Sequence, residues 1–147
     1  MKRFSGSIIL RIIDANFNRS REGLRVCEDI ARFALRSRII ASDLKAIRHS
    51  VSAVLEDMPS SIEIMQSRDT GQDAGRSSRS PTEMRRTGAF DIFMANMERS
   101  KESIRVLEEF SKLIDGSLSA RFSKLRFRLY DIEKKVYKRA SSLRNTR

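Results

Sequence analysis

The sequence predicts an all-α fold, a helical bundle made of two duplicated helix hairpins joined by a long functional connector. Three observations predict it. No run alternates with period two, so strand signals are absent, and the helical period dominates everywhere outside residues 59–90. Residues 15–29, ANFNRSREGLRVCED, recur as ANMERSKESIRVLEE at 95–109, at a constant offset of 80 without a gap. A weaker match follows each copy: Leu44, Ile47, Arg48, Val51 and Val54 align with Phe122, Leu125, Arg126, Leu129 and Ile132 at an offset of 78. Similarity this dense at a fixed spacing points to duplication of a two-helix unit.

The elements follow in order. Repeat one is expected over 8–58, the connector over 59–90, repeat two over 91–137 and a basic tail over 138–147, so that 1–137 form one helical domain. Within the repeats, short linkers at Arg36–Ser42 and Asp115–Ser119 separate the helices, with Gly116 suited to a helix C-cap. The connector holds both prolines and much of the glycine and serine, and Ser80-Pro81-Thr82-Glu83 reads as a helix start. Beyond it, Lys134, Lys135, Lys138, Arg139, Arg144 and Arg147 make the C-terminal end a solvated basic segment.

Placing side chains at about 100° per residue shows where the pattern breaks. Ile13, Phe17, Leu24, Cys27, Ile30, Ala31 and Ala34 form the apolar arc of the first helix. Asn16, Arg19, Ser20 and Gly23 fall inside that arc, whereas Asp14, Arg21, Glu22, Arg25, Glu28 and Asp29 fall on the wet side. Repeat two does the same with Asn96, Arg99, Ser100 and Ser103 among Phe93, Met97, Ile104, Leu107 and Phe110. Arg48 also lies beside Leu44, Val51 and Leu55, and Arg126 beside Phe122 and Leu129. A buried guanidinium costs several kcal/mol unless it is paired, so something negative should meet these arginines, and a ligand phosphate suits them. Structural satisfaction by neighbouring acids or by snorkelling is the competing account. The small residues Ser20, Gly23, Ser100 and Ser103 have a packing explanation, since they let helices approach closely. His49 faces outward, and Cys27 replaces Leu107 as a small hydrophobe.

The connector contains Arg68-Asp69-Thr70-Gly71-Gln72-Asp73-Ala74-Gly75, whose carboxylates, glycines and arginine suit a loop that closes over a phosphate and its metal. Arg85 and Arg86 either join such a site or begin the next helix. There is no Walker loop, nucleophile elbow or kinase glycine-rich loop.

Composition narrows the classes. A net charge of +11 favours anionic partners, and 39% hydrophobic content over 147 residues suits one folded domain. No apolar run approaches the ~20 residues of a membrane helix, and no secretory signal is legible, so a cytoplasmic protein is expected. One Cys and one His leave metal chemistry to oxygen ligands, which points to Mg²⁺. Trp is absent and Tyr occurs only at 130 and 137, which argues against nucleic acid, where aromatics often stack on bases. A non-catalytic anion- or nucleic-acid-binding domain is the alternative that the charge keeps open.

The segments IDANFNRSREGLRVCEDIARF, RDTGQDAG, MANMERSKESIRVLEEFSKL and KLRFRLYDIEK resemble the small all-α hydroxymethylpyrimidine phosphate kinases of bacterial thiamine biosynthesis. That family occurs alone or fused to thiamine-phosphate synthase, and the resemblance covers roughly residues 8–137. It implies ATP- and Mg²⁺-dependent phosphorylation of 4-amino-5-hydroxymethyl-2-methylpyrimidine phosphate to the diphosphate. Under it, Arg19, Arg48, Arg99 and Arg126 clamp phosphates, with Arg68 beside them and Arg99 acting in catalysis. Asp69 and Asp73 bind the metal or position the attacking oxygen, and Asn16 and Asn96 hold the pyrimidine or a phosphate. Glu22, Arg25, Thr70, Gly75, Glu102 and Arg105 are further candidates, Arg25 and Arg105 for a dimer interface or a site between subunits. A homodimer and an association with thiamine-phosphate synthase are the expected assemblies.

Overall fold

The computed structural model describes residues 6–59, 61–80 and 85–139. Among the described residues there are five α-helices: α1 (Gly6–Phe33), α2 (Arg38–Glu56), α3 (Ser61–Gln66), α4 (Ala89–Ser111) and α5 (Gly116–Lys138). A single 3₁₀ turn, Thr70–Gln72, follows α3, and no strand occurs among the described residues. The fold is all-α, as the periodicity predicts.

Helix ends are set by local chemistry. Ser37 caps α2 by accepting the Ile40 N–H at 3.2 Å, and Asp115 caps α5 by accepting that of Ser117 at 2.9 Å. Those bonds, from the Ser117 backbone and hydroxyl, hold the Asp115 carboxyl below its ordinary range. Gly116 is therefore the first residue of α5 rather than a C-cap, because the carboxylate beside it makes a better start signal than the glycine makes a stop. The chain turns between α1 and α2 through Arg36, whose φ of 51° lies in the left-handed region. The interhelical segments are 34–37 and 112–115, each a few residues before the predicted linkers.

Packing closes a ring in which α1 touches α2 and α4, α4 touches α5, and α5 touches α2, with α3 resting on α1. α1 and α4 run antiparallel: the Cys27 thiol meets the Phe93 carbonyl, whereas Gly23 faces Asn96 and Ser100. Equivalent positions of both copies are buried, among them Ile13 with Phe93, Leu24 with Ile104, Leu44 with Phe122 and Val51 with Leu129. Gly23 allows the close approach, since a Cβ there would lie 2.5 Å from Ser100 Oγ and 2.9 Å from the Asn96 carbonyl oxygen. Ser20, Ser100 and Ser103 fit the same seam by returning their hydroxyls to helix carbonyls of Phe17, Asn96 and Arg99 at 2.7–2.8 Å.

The connector is partly helical, and α3 buries Ile64. Of the helix start at Ser80-Pro81-Thr82-Glu83, residues 81–84 lie outside the described residues, as do 140–147 of the tail. Lys134, Lys135 and Lys138 belong to α5, and Arg85 and Arg86 precede α4 as exposed, non-helical residues. No helix among the described residues is long and apolar enough to cross a membrane.

Candidate phosphate-binding cleft

The N-terminal half of α1 forms one wall of an open cleft of about 640 Å³, and the loop after α3 forms the other. Successive helical turns bring Arg11, Asp14, Asn18 and Glu22 to it, with Asn16 and Arg19 beside them, and the loop adds Arg68, Asp69, Thr70 and Asp73. Arg68 ties the walls together. Its Nε and Nη2 donate to the two carboxylate oxygens of Asp14, both at 2.8 Å, a bidentate pair with a nearly buried acid. That carboxylate raises the Arg68 pKa further above its already high value. Asn18 Nδ2 donates to the Asp14 carbonyl oxygen at 3.0 Å, and Asn16 is buried with its amide given to the Ile12 carbonyl.

The loop is shaped by its own acids. Asp69 caps the 3₁₀ turn by accepting the Gln72 N–H at 3.2 Å, and Asp73 accepts that of Gly75 at 2.9 Å. Both side chains remain exposed and line the cleft. Arg11 reaches the Asp69 carbonyl at 3.5 Å, and Arg19 the Asn16 side-chain oxygen at 3.5 Å. Neither arginine has a carboxylate partner among the described residues. Among those residues no cluster of three or more His, Cys, Asp and Glu could hold a metal. Asp69 and Asp73 suit a cation of the Mg²⁺ type, which is often held by one or two carboxylates together with substrate phosphates. The lining sets three arginines against the carboxylates of Asp14, Glu22, Asp69 and Asp73.

Arg48 and Arg126 take a different part from the one expected of them. Glu28, placed on the wet side by the helical wheel, and its repeat counterpart Glu108 are buried. Arg48 Nε donates to Glu28 at 3.0 Å and Arg126 Nε to Glu108 at 2.9 Å, the same pair in both copies. The negative group that meets these two guanidinium groups is thus internal. Asp14 was likewise placed outside and is buried. Arg19 and Arg99, expected among apolar side chains, are exposed, because a long side chain at the edge of the arc snorkels to water. Asn96, half-buried, mirrors Asn16 by donating to the Ile92 carbonyl at 2.8 Å.

Repeat two does not line the cleft. Glu102, Arg105 and Arg126 instead border a smaller one of about 400 Å³ with Glu98, Lys101 and Tyr130. There burial opposes the charge of Lys101, but hydrogen bonds to Glu133 and Glu98 outweigh it and raise its pKa. Arg99 lies next to Ser100, across the α1–α4 seam from Gly23 and hence from the segment carrying Glu22. Arg25 and Arg105 are exposed and pair along their own helices with Asp29 and Glu109. Gly75 shapes the loop without lining the cleft. Arg11, Asp14 and Asn18 are the polar lining residues that sequence reasoning missed. The signal was a break in the repeat, where Arg11 and Asp14 stand opposite Asp91 and Met94.

A family description, the ThiD2 family, matches residues 11–135, which include both walls of the cleft. The chain belongs to the ThiD2 family. This ThiD2 chain is 38% identical over 133 residues to the thiamine-phosphate synthase of Synechocystis sp., covering 90% of the chain and 37% of that protein. It is 34% identical over 142 residues to the thiamine-phosphate synthase of Nostoc sp. strain PCC 7120, covering 95% and 39%. The thiamine-phosphate synthase of Gloeobacter violaceus is 34% identical over 126 residues, 86% of the chain and 36% of that protein. The ThiD2 chain therefore spans little more than a third of the curated relatives it matches. No solved structure matches it.

Proposed function

We propose that this ThiD2 protein transfers the γ-phosphoryl group of ATP to 4-amino-5-hydroxymethyl-2-methylpyrimidine phosphate, giving the diphosphate and ADP in thiamine biosynthesis. The observation that carries this reading is the convergence of Arg11, Arg19 and Arg68 with the Asp69 and Asp73 carboxylates on one cleft. The relatives support it. A domain that occurs fused to thiamine-phosphate synthase is expected to match about a third of proteins bearing that name, as this chain does.

The reaction asks little covalent chemistry of the protein. The acceptor is an oxygen of a phosphate monoester, whose second pKa of about 6 leaves it largely ionised at neutral pH. No side chain has to remove a proton from it. A bond forms between that oxygen and the γ-phosphorus, the bond from the γ-phosphorus to the bridging oxygen breaks, and ADP departs with the electron pair. The protein's tasks are alignment of two polyanions and neutralisation of charge. Arg19 and Arg68 hold phosphate oxygens, and Asn16 and Asn18 border the place for the pyrimidine. Arg99, exposed on α4 and outside the cleft lining, would meet the phosphates of the second substrate only if that substrate extends past the α1–α4 seam. Mg²⁺ bound through Asp69 and Asp73 would neutralise the nucleotide's phosphate charge.

Coupled-assay ADP release with the pyrimidine monophosphate and MgATP tests the reading. Turnover in wild type that falls at least about a hundredfold in Asp69→Ala and Arg19→Ala is expected, with circular dichroism showing intact folds. A folded wild type that releases no ADP excludes it.

A further inference from the structure

The best-defined geometry in the cleft belongs to a residue absent from the helical repeat. Asp14 stands where repeat two has Met94, so its carboxylate is not part of the duplicated core. It is nearly buried, and both its oxygens go to one guanidinium, at 2.8 Å each. Two of the five N–H donors of Arg68 serve Asp14, leaving three, and the Arg68 side chain is 43% exposed. A guanidinium gripped along its Nε–Nη2 edge has one orientation, and its remaining donors are presented together instead of swinging on a flexible loop. Arg11, three residues before Asp14 on the same cleft, adds a second guanidinium without a carboxylate partner among the described residues.

We infer that Asp14 is a positioning residue: it orients Arg68 so that the free N–H face of Arg68, together with Arg11, forms a phosphate subsite at the loop end of the cleft. Asp14 touches no ligand in this arrangement and acts only through Arg68. The inference deepens the kinase reading of the same cleft and rests on it for the identity of the ligand. Its binding test needs no turnover, so the two fail separately.

The test is calorimetric titration of the full chain with inorganic pyrophosphate and MgCl₂. Asp14→Asn keeps the shape but loses the charge that grips the guanidinium. Arg68→Lys keeps the charge of a loop residue but cannot pair along an edge, and its exposed site carries little folding risk. Both variants, and Arg11→Gln, are expected to bind pyrophosphate at least about tenfold more weakly than wild type, a loss of about 1.4 kcal/mol each. Arg121→Gln, which breaks the surface pair with Asp57, is expected to leave the affinity unchanged. In turnover, Asp14→Asn is expected to raise KM with kcat within about twofold, the mark of lost ground-state binding. Unchanged affinity in Arg68→Lys and Asp14→Asn overturns the inference, as does tighter binding in Asp14→Asn, which would make Asp14 a competitor of the phosphate. A wild type that does not bind pyrophosphate overturns it as well.

Discussion

Replacing Glu108 by leucine removes the carboxylate that Arg126 meets at 2.9 Å, with both side chains only 10–11% exposed. The consequence separates a structural arginine from a ligand clamp. Breaking one side of a buried pair typically costs about 3–5 kcal/mol, because the remaining charge stays desolvated, whereas apolar replacement of both is often nearly neutral. Here Arg126 retains a stacking contact with Phe127 and a long bond to Tyr130, so the lower end, about 3 kcal/mol, is expected. At about 2–4 °C per kcal/mol for chains of this size, the melting temperature should fall by about 6–12 °C. Arg126→Met should cost a similar amount, and the double variant Glu108→Leu with Arg126→Met about half of the sum, a coupling of about 3 kcal/mol. Urea unfolding of the four proteins, followed by circular dichroism, supplies the cycle. Glu28 and Arg48 should repeat the result in the other hairpin. Additive single effects below about 0.5 kcal/mol would refute the argument, and would return these arginines to the list of free cations that need an external anion.

Three further outcomes follow from the same geometry. Gly23→Ala gains up to about 1 kcal/mol of helix propensity but meets the Asn96 carbonyl at 2.9 Å, which is backbone and cannot rotate away. A net loss of about 2 kcal/mol is expected in denaturant titration, while Gly6→Ala, with nothing within 4 Å, should not destabilise. Burial, and secondarily Glu133, raise the Cys27 pKa to about 12 from an ordinary value near 9, so the folded state resists ionisation. Stability should therefore be lost as pH rises from about 9 toward 12. Thiol labelling at pH 8 should follow only transient opening, and a rapid reaction in the native protein would contradict the burial. Asp73→Asn removes one of the two loop carboxylates of the cleft and should raise the Mg²⁺ concentration needed for half-maximal turnover, with an unchanged melting temperature.

Much of the architecture was legible because duplication doubles every signal. Leu24 and Ile104, or Val51 and Leu129, each confirm the face on which the other lies, and all four are buried. The small seam residues were legible for the same reason. Capping was harder to read, since Asp115 and Gly116 carry opposing signals and only the hydrogen bond to Ser117 decides between them. The buried acids were misplaced because a helical wheel assumes one apolar arc per helix. α1 and α4 each contact two neighbouring long helices, so Glu28 and Glu108 turn toward the second partner and find Arg48 and Arg126 there. The site was half legible. Its loop stood out by composition, but that the loop lies on α1 depends on the Arg68–Asp14 pair, formed across 54 residues of sequence that no local pattern spans.

In the proposed reaction the cleft adds a phosphoryl group to a phosphate already on the substrate. Phosphorus-31 NMR of the pyrimidine monophosphate with MgATP and the full chain measures that event directly. Coupled α and β resonances of a new diphosphate, rising in step with ADP while the monoester signal falls, are the predicted result. A persistent monoester signal, with ATP either untouched or hydrolysed to inorganic phosphate, would contradict it.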